Sequence, residues 1–349
     1  MQQESRHFTS IQALRFIAAA MVVVFHGSHY ADGRLTPGPI VINGAAGVDI
    51  FFVISGFVMM ISSRDLFKAD DGWRRFSLRR VARIVPLYWA LLSVKVLTLL
   101  LMPGALANTE ISVAEILCAY LFLPHYNADG DIFPILVVGW TLNFEMFFYA
   151  ILALGMYWRL PPYRFCLGVL TVLSLGALLR PPDGPAALFY LDPIILEFGL
   201  GMLIARFVDQ RPKFGPWANL ILIVVGVLLL CIPMSAPPDL LRPIVWGLPA
   251  AAIVLGFCGL DREIAGITPR WVTTLGDASF ALYLIHPIIG PFAPSLLRRF
   301  GLVSSTASIA LTLLISVIAA LALYRGFERP VTRFLNDLLS GRRVLNVAS

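Results

Sequence analysis

Ten apolar stretches of about 16 to 24 residues, separated by polar, Pro or Gly breaks, run through this chain of 349 residues. A bilayer core of about 30 Å takes roughly 20 helical residues to cross, so such runs are read as spans. They fall near 11–30, 46–62, 84–102, 135–157, 165–180, 187–208, 217–234, 243–260, 275–293 and 303–326. A shorter run, 111–124, is ambiguous. The reading is an all-α, polytopic membrane protein with one domain over 1–349. Composition agrees: 58% of residues are hydrophobic and only 14% charged, whereas soluble chains carry about a quarter charged residues. The first ten residues are polar, and the first apolar run lacks a small-residue cleavage site, so it is expected to be a retained span rather than a signal peptide.

The net charge of +6 would suggest nucleic acid in a soluble protein. Here Lys and Arg have a simpler use, which is to set orientation, and no nucleic-acid partner is expected. If 111–124 stays uncrossed and the N-terminus is inside, 21 of the 27 Lys and Arg residues lie on the inner side and 5 on the outer, Lys95 falling within a span. If 111–124 crosses, every later loop flips and the tally becomes 13 against 13. The positive-inside rule therefore favours ten crossings with both termini cytoplasmic and 103–139 as an outer or re-entrant excursion. Cys118, Cys166, Cys231 and Cys258 sit in separate apolar runs without C-x-x-C spacing and read as packing residues. No metal is expected.

Ionisable groups inside spans mark functional sites by default, and the first span holds two. From Arg15 to His26 is eleven steps, or about 1100° at 100° per residue, which is three turns plus roughly 20°. Both side chains share one face about 16 Å apart along the axis, so a polar track runs through the bilayer. His29, one turn further out, reads as an entrance or interfacial group.

The basic loop before the third span runs Trp73-Arg74-Arg75-Phe76-Ser77-Leu78-Arg79-Arg80-Val81-Ala82-Arg83. Most of its charges are explained as topology signals with lipid headgroups as partners. Arg80 and Arg83 are neighbours on a helix at the inner membrane edge, beside Pro86, Tyr88 and Trp89, and Arg suits bidentate phosphate capture. In the second span, Gly47 and Gly56 permit close helix approach, Asp49 reads as interfacial, and Ser55 as bonded to its own helix backbone.

In the fourth crossing Glu145 stands about 12 Å deep, where a carboxylate needs a partner. Lys95 is a structural choice, and a part in the chemistry is preferred. In the ninth, His286 reaches roughly the depth of His26 and Glu145, so three ionisable groups converge. Asp192 and Glu197 are left unassigned, and Glu328 is expected to pair with the basic loop.

Five motifs in order resemble the acyltransferase-3 family of integral membrane acyltransferases over nearly the whole chain. They are Arg15 and His26 at R-x10-H spacing, Gly47 to Phe57 (GVDIFFVISGF), Arg79 to Trp89 (RRVARIVPLYW), Trp140-Thr141-Leu142 with Glu145, Phe148 and Tyr149, and Ser279-Phe280 with Tyr283 and His286. The resemblance implies transfer of an acyl group, usually acetyl, from cytoplasmic acyl-CoA to a hydroxyl of a sugar or lipid-linked glycan at or beyond the outer leaflet of a bacterial inner membrane. Carried over, His26 is the essential histidine, Arg15 its motif partner, and Arg80 with Arg83 the contacts to CoA phosphates. Arg79, Tyr88 and Trp89 join them as cofactor-binding candidates, and Arg15, Glu145 and His286 join His26 as catalytic ones. Some family members carry an extra hydrolase-like domain after the last span; this chain resembles the stand-alone form.

An unperturbed imidazole titrates near pH 6.5, which suits His26 to act as general base on the acceptor hydroxyl, with Glu145 orienting it or accepting the proton. A covalent acyl-His26 intermediate is the mechanistic alternative. Two other classes compete: a transporter or flippase of lipid-linked glycan, which also places polar groups in apolar spans, and a lipid-binding structural or sensor protein. A basic Arg79 to Arg83 cluster with an ordered Trp/Tyr platform is what a CoA enzyme needs and a flippase does not. Polar and aromatic groups at His125, Tyr126, Asn127, Asp129 and Asp131 form an expected outer rim for sugar contacts.

Overall fold

Every one of the ten apolar stretches becomes helix. The computed structural model describes residues 8–35, 38, 40–101, 112–181, 183–210, 214–233 and 236–340. Over these the chain forms α1 (Thr9–Asp32), α2 (Gly47–Ser62), α3 (Gly72–Leu101), α4 (Val113–Tyr120), α5 (Gly139–Tyr157), α6 (Pro162–Gly176), α7 (Leu196–Asp209) and α8 (Pro216–Leu230). There follow α9 (Leu248–Gly259), α10 (Asp261–Ile267), α11 (Arg270–Asp277), α12 (Ser279–Ile289), α13 (Phe292–Arg299), α14 (Ser305–Leu323) and α15 (Arg329–Leu339). There is no strand among the described residues. The starts obey local chemistry. Pro162 and Pro216 open α6 and α8, where a missing N–H costs nothing, and the Ser304 hydroxyl accepts from the Ala307 N–H at 3.3 Å to cap α14.

Among the described residues, six helical segments are long and apolar enough to cross a membrane, and a seventh joins them if α11 and α12, bent by 62° at their junction, form one span. This is fewer than the ten expected. The remaining three apolar stretches are α5, α7 and α8. The last two have only 14 and 15 residues, while α5 carries the polar groups Thr141, Asn143 and Glu145. The ambiguous run becomes α4, whose eight residues rise only about 12 Å and cannot cross. Residues 103–111 of the expected excursion, both extreme termini, and Arg6, Arg211, Lys213, Arg342 and Arg343 of the charge tally lie outside the described residues. One local expectation changes: the basic run before the third span is not a loop but the first turns of α3, which begins at Gly72.

At the centre, α1 packs against α2, α11, α12 and α14, and α2 packs along α7. The α2–α7 approach depends on missing side chains. A Cβ on Gly56 would collide with the Phe198 carbonyl, and one on Gly47 would strike the Ala18 carbonyl of α1. Backbone therefore meets backbone, as small residues allow between membrane helices. On the outside, large apolar side chains such as Leu97, Leu100, Val172, Leu175, Leu228 and Leu314 are exposed, which suits hydrocarbon rather than water.

Asp49, expected at the interface, is enclosed by protein. It is 0% exposed and grips Arg242 at the start of the α9 segment through two 3.0 Å bonds, Nε to Oδ1 and Nη2 to Oδ2. Arg242 also lies 5.9 Å from the Trp140 ring centroid and 5.2 Å from that of Trp246. The pair joins α2 to the α9 segment across 193 residues of sequence. Glu197 of α7 is fully buried beside it, and Asp192 caps the turn before α7 by accepting from the Ile194 N–H at 2.9 Å.

Candidate active site

Two imidazoles meet where α1 and α12 pack together. His26 Nδ1 lies 3.2 Å from His286 Nε2, the rings 5.0 Å apart between centroids. Each ring also reaches back to its own helix: His26 Nδ1 is 3.0 Å from the Val22 carbonyl, and His286 Nδ1 is 3.2 Å from the Leu282 carbonyl. His286 is 0% exposed, while His29 is exposed and bonds the Phe25 carbonyl at 3.0 Å. The depth argument thus brings His26 and His286 together. It does not bring Glu145 to them.

Glu145 belongs to a second constellation. A cavity of about 110 Å³ lies between α1, α2, α3, α5 and α12. Its polar lining is Arg15, Ser55, Arg80, Arg83, Thr141, Glu145, Tyr149 and Tyr283. Glu145 Oε1 accepts from the Ser55 hydroxyl at 3.1 Å and from the Tyr149 hydroxyl. It is therefore held by neither Lys95 nor His26, and Ser55 is not spent on its own backbone. Tyr149 follows Glu145 by four residues, one helical turn.

Three guanidinium groups and one carboxylate face this space, an excess of positive charge in an apolar wall of Val48, Phe51, Phe52, Ile54, Leu142 and Phe280. Buried Arg80 Nε has no hydrogen-bond partner among the described residues, although the Arg80 guanidinium lies 5.8 Å from the Phe76 ring. Glu328, expected to pair with the basic segment, is buried but forms no ion pair within 4.0 Å among the described residues, and its Oε2 has no hydrogen-bond partner there.

Tyr283 links the two constellations. It lines the cavity, its ring centroid is 6.0 Å from that of His286, and its hydroxyl is 2.9 Å from that of Thr141. Arg15 and His26 share a helix face, yet Arg15 lines the cavity and His26 does not.

Three cofactor-binding candidates lie off the cavity lining. Arg79 is exposed. Tyr88 is 0% exposed and packs on Phe122, centroids 4.7 Å apart. Trp89 is 44% exposed, with its indole N–H donating to the Tyr120 carbonyl at 2.9 Å. Arg80 and Arg83 line the cavity, whereas Arg79, although only about 40° from Arg83 around the helix, lies on the exposed side. In the outer rim, the Asn127 side chain closes a turn by accepting from the Asp129 and Asp131 N–H groups, and the Tyr126 hydroxyl donates to the Gly184 carbonyl at 2.8 Å.

The acyltransferase-3 family, described as "Acyltransferase domain", matches residues 8–325, the segment that supplies every group of both constellations. The chain belongs to this family. It is 34% identical over 301 residues to the exopolysaccharide production protein ExoZ of Rhizobium meliloti (strain 1021), covering 83% of this chain and 90% of that protein. Acyltransferase MdmB of Streptomyces mycarofaciens is 25% identical over 375 residues, covering 93% and 92%. YrhL of Bacillus subtilis (strain 168), provisionally named a peptidoglycan O-acetyltransferase, is 26% identical over 224 residues, which is 58% of this chain and 34% of YrhL. No solved structure matches. The acyltransferase is a multi-pass membrane protein, its apolar helices and its family agreeing on that point.

Proposed function

We propose that this acyltransferase moves an acyl group, acetyl in the first instance, from cytoplasmic acyl-CoA to a hydroxyl of a sugar or glycan at the outer side of a bacterial inner membrane. The observation that carries the reading is the cavity in which Arg15, Arg80 and Arg83 face a single lining carboxylate, Glu145. Guanidinium groups in excess within a cavity call for an anion, and phosphate is the anion whose geometry Arg matches best. Acyl-CoA carries phosphates at one end and a slender thioester arm at the other. The basic first turns of α3 suit the nucleotide, and the apolar wall between Phe51 and Phe280 suits the arm.

The topology proposed with this function has ten crossings, both termini in the cytoplasm, and α5, α7 and α8 as the short or polar crossings. In it Arg80 and Arg83 lie toward the inner surface, and His26 with His286 toward the outer half. The thioester would pass Tyr283 to reach them. There His26 takes the proton of the acceptor hydroxyl as its oxygen attacks the thioester carbonyl, and returns it to the departing thiolate. Glu145, held by Ser55 and Tyr149, acts within the donor cavity rather than on His26. The acyl-His26 route places the same nitrogen on the carbonyl instead. Polysaccharide is the acceptor class suggested by the printed names of ExoZ and YrhL.

The test uses acetyl-CoA labelled in its acetyl group, supplied to membranes containing the protein. Label recovered in the carbohydrate fraction and released by mild base is the expected result. Label confined to water-soluble acetate with every glycan fraction offered would refute the acceptor class, and absence of CoA release would refute the donor.

A further inference from the structure

The contacts of the two histidines determine where their protons sit. A carbonyl oxygen only accepts. The 3.0 Å contact from Val22 O to His26 Nδ1 therefore places a proton on His26 Nδ1, and the 3.2 Å contact from Leu282 O to His286 Nδ1 places one on His286 Nδ1. A neutral imidazole has one N–H and one bare nitrogen, so His286 Nε2 is an acceptor. It lies 3.2 Å from His26 Nδ1, whose single N–H is then shared between Val22 O and His286 Nε2. This assignment satisfies all three contacts with both rings neutral. Moving the His26 proton to Nε2 leaves the Val22 carbonyl with no donor on the ring.

We infer that His286 is a positioning residue: it accepts from His26 Nδ1–H, fixes the tautomer of His26, and leaves His26 Nε2 as the reacting nitrogen. The inference rests on the proposed role of His26. In the base route, Nε2 takes the acceptor hydroxyl proton as the C–O bond forms, then gives it to the thiolate as the C–S bond breaks, so no proton is left over. His286 gains none; it stays neutral and accepts a stronger hydrogen bond while His26 is an imidazolium. In the acyl-histidine route the same nitrogen attacks, so the positioning role is common to both. A neutral ring here does what a buried carboxylate does in many hydrolytic triads, without placing a second charge in the membrane.

The experiment measures CoA release from acetyl-CoA, with water as acceptor, by the purified full chain in detergent. The variants are His26→Ala, His286→Leu and His286→Gln. Gln offers a carbonyl oxygen that accepts as Nε2 does, whereas Leu offers none. The expected pattern is kcat lowered about tenfold or more by His286→Leu, KM for acetyl-CoA within about twofold, and kcat in His286→Gln recovered to within about threefold of wild type. Wild-type kcat in His286→Leu, or a His286→Gln variant as slow as His286→Leu, would overturn the positioning role. Should His286→Leu fail to fold, 15N spectra of histidine-labelled wild-type protein decide the matter. Nδ1–H with a bare Nε2 on His26 supports the assignment, and Nε2–H overturns it. Full activity in His26→Ala would instead remove the base beneath it, a result distinct from an inactive His26→Ala beside a fully active His286→Leu.

Discussion

Two sets of half-buried arginines in this acyltransferase differ in how they are answered. Arg242 is met bidentately by Asp49 at 3.0 Å and stacked by Trp140 and Trp246; its charge is spent on joining α2 to the α9 segment. Arg15, Arg80 and Arg83 share a cavity with one lining carboxylate, and that carboxylate is already engaged by Ser55 and Tyr149. The same residue type does two jobs. Where an arginine is paired and packed, removing it exposes an uncompensated partner and costs stability. Where it lines a cavity in excess, removing it relieves repulsion and costs affinity for an anion.

The largest effect tests what lies outside both sets. His26→Ala should lower CoA release by about 10² to 10⁴-fold with acetyl-CoA affinity within about twofold, measured by kinetics and calorimetry on the same sample. Asp49→Ala comes next. Leaving Arg242 unpaired costs about 3–5 kcal/mol, read as a marked drop in the thermal midpoint in detergent. Arg80→Ala should do the reverse, weakening acetyl-CoA binding by roughly ten- to a hundredfold, the worth of one charge-assisted bond of about 1.5–3 kcal/mol, with the thermal midpoint nearly unchanged. Equal loss of stability in Asp49→Ala and Arg80→Ala would erase the distinction between the two sets.

A smaller change carries a sign. Glu145→Gln keeps an acceptor for Ser55 and Tyr149 but removes the negative charge from the cavity lining, so acetyl-CoA should bind about threefold more tightly by electrostatic reasoning; weaker binding would mean that Glu145 holds the arginines in place. The smallest effects belong to Arg79→Ala and Trp89→Leu, which lie off the cavity lining and should change acetyl-CoA affinity by less than about twofold, as for other exposed sites.

Much of this arrangement is legible in the sequence, for a physical reason. Hydrocarbon demands long apolar runs, so all ten stretches could be read as helices. Eleven steps on a helix put Arg15 and His26 on one face, and depth alone brought His286 near His26. What depends on tertiary approach was not legible. Arg15 and His26 share a face but not a cavity: Arg15 lines it with Tyr283 of α12, whereas His26 lies against His286. Depth placed Glu145 level with His26, but rotation about α5 turned it to Ser55 and Arg80. Tyr149, four residues beyond Glu145, was the one local signal of that placement. Asp49 and Arg242 lie 193 residues apart, and no periodicity announces such a pair. Length and hydropathy alone do not fix the span count for a related reason: α7 and α8 are short, and α11 and α12 break by 62°, features set by neighbours rather than by hydropathy.

The central claim is that the cavity of Arg15, Arg80 and Arg83 takes the anionic donor while His26 performs the transfer. Calorimetric titration of acetyl-CoA into wild type, Arg80→Ala and His26→Ala tests it most directly. The account predicts saturable binding in wild type, binding at least tenfold weaker in Arg80→Ala, and wild-type binding in an inactive His26→Ala. No binding in wild type, or the same loss in both variants, would contradict it.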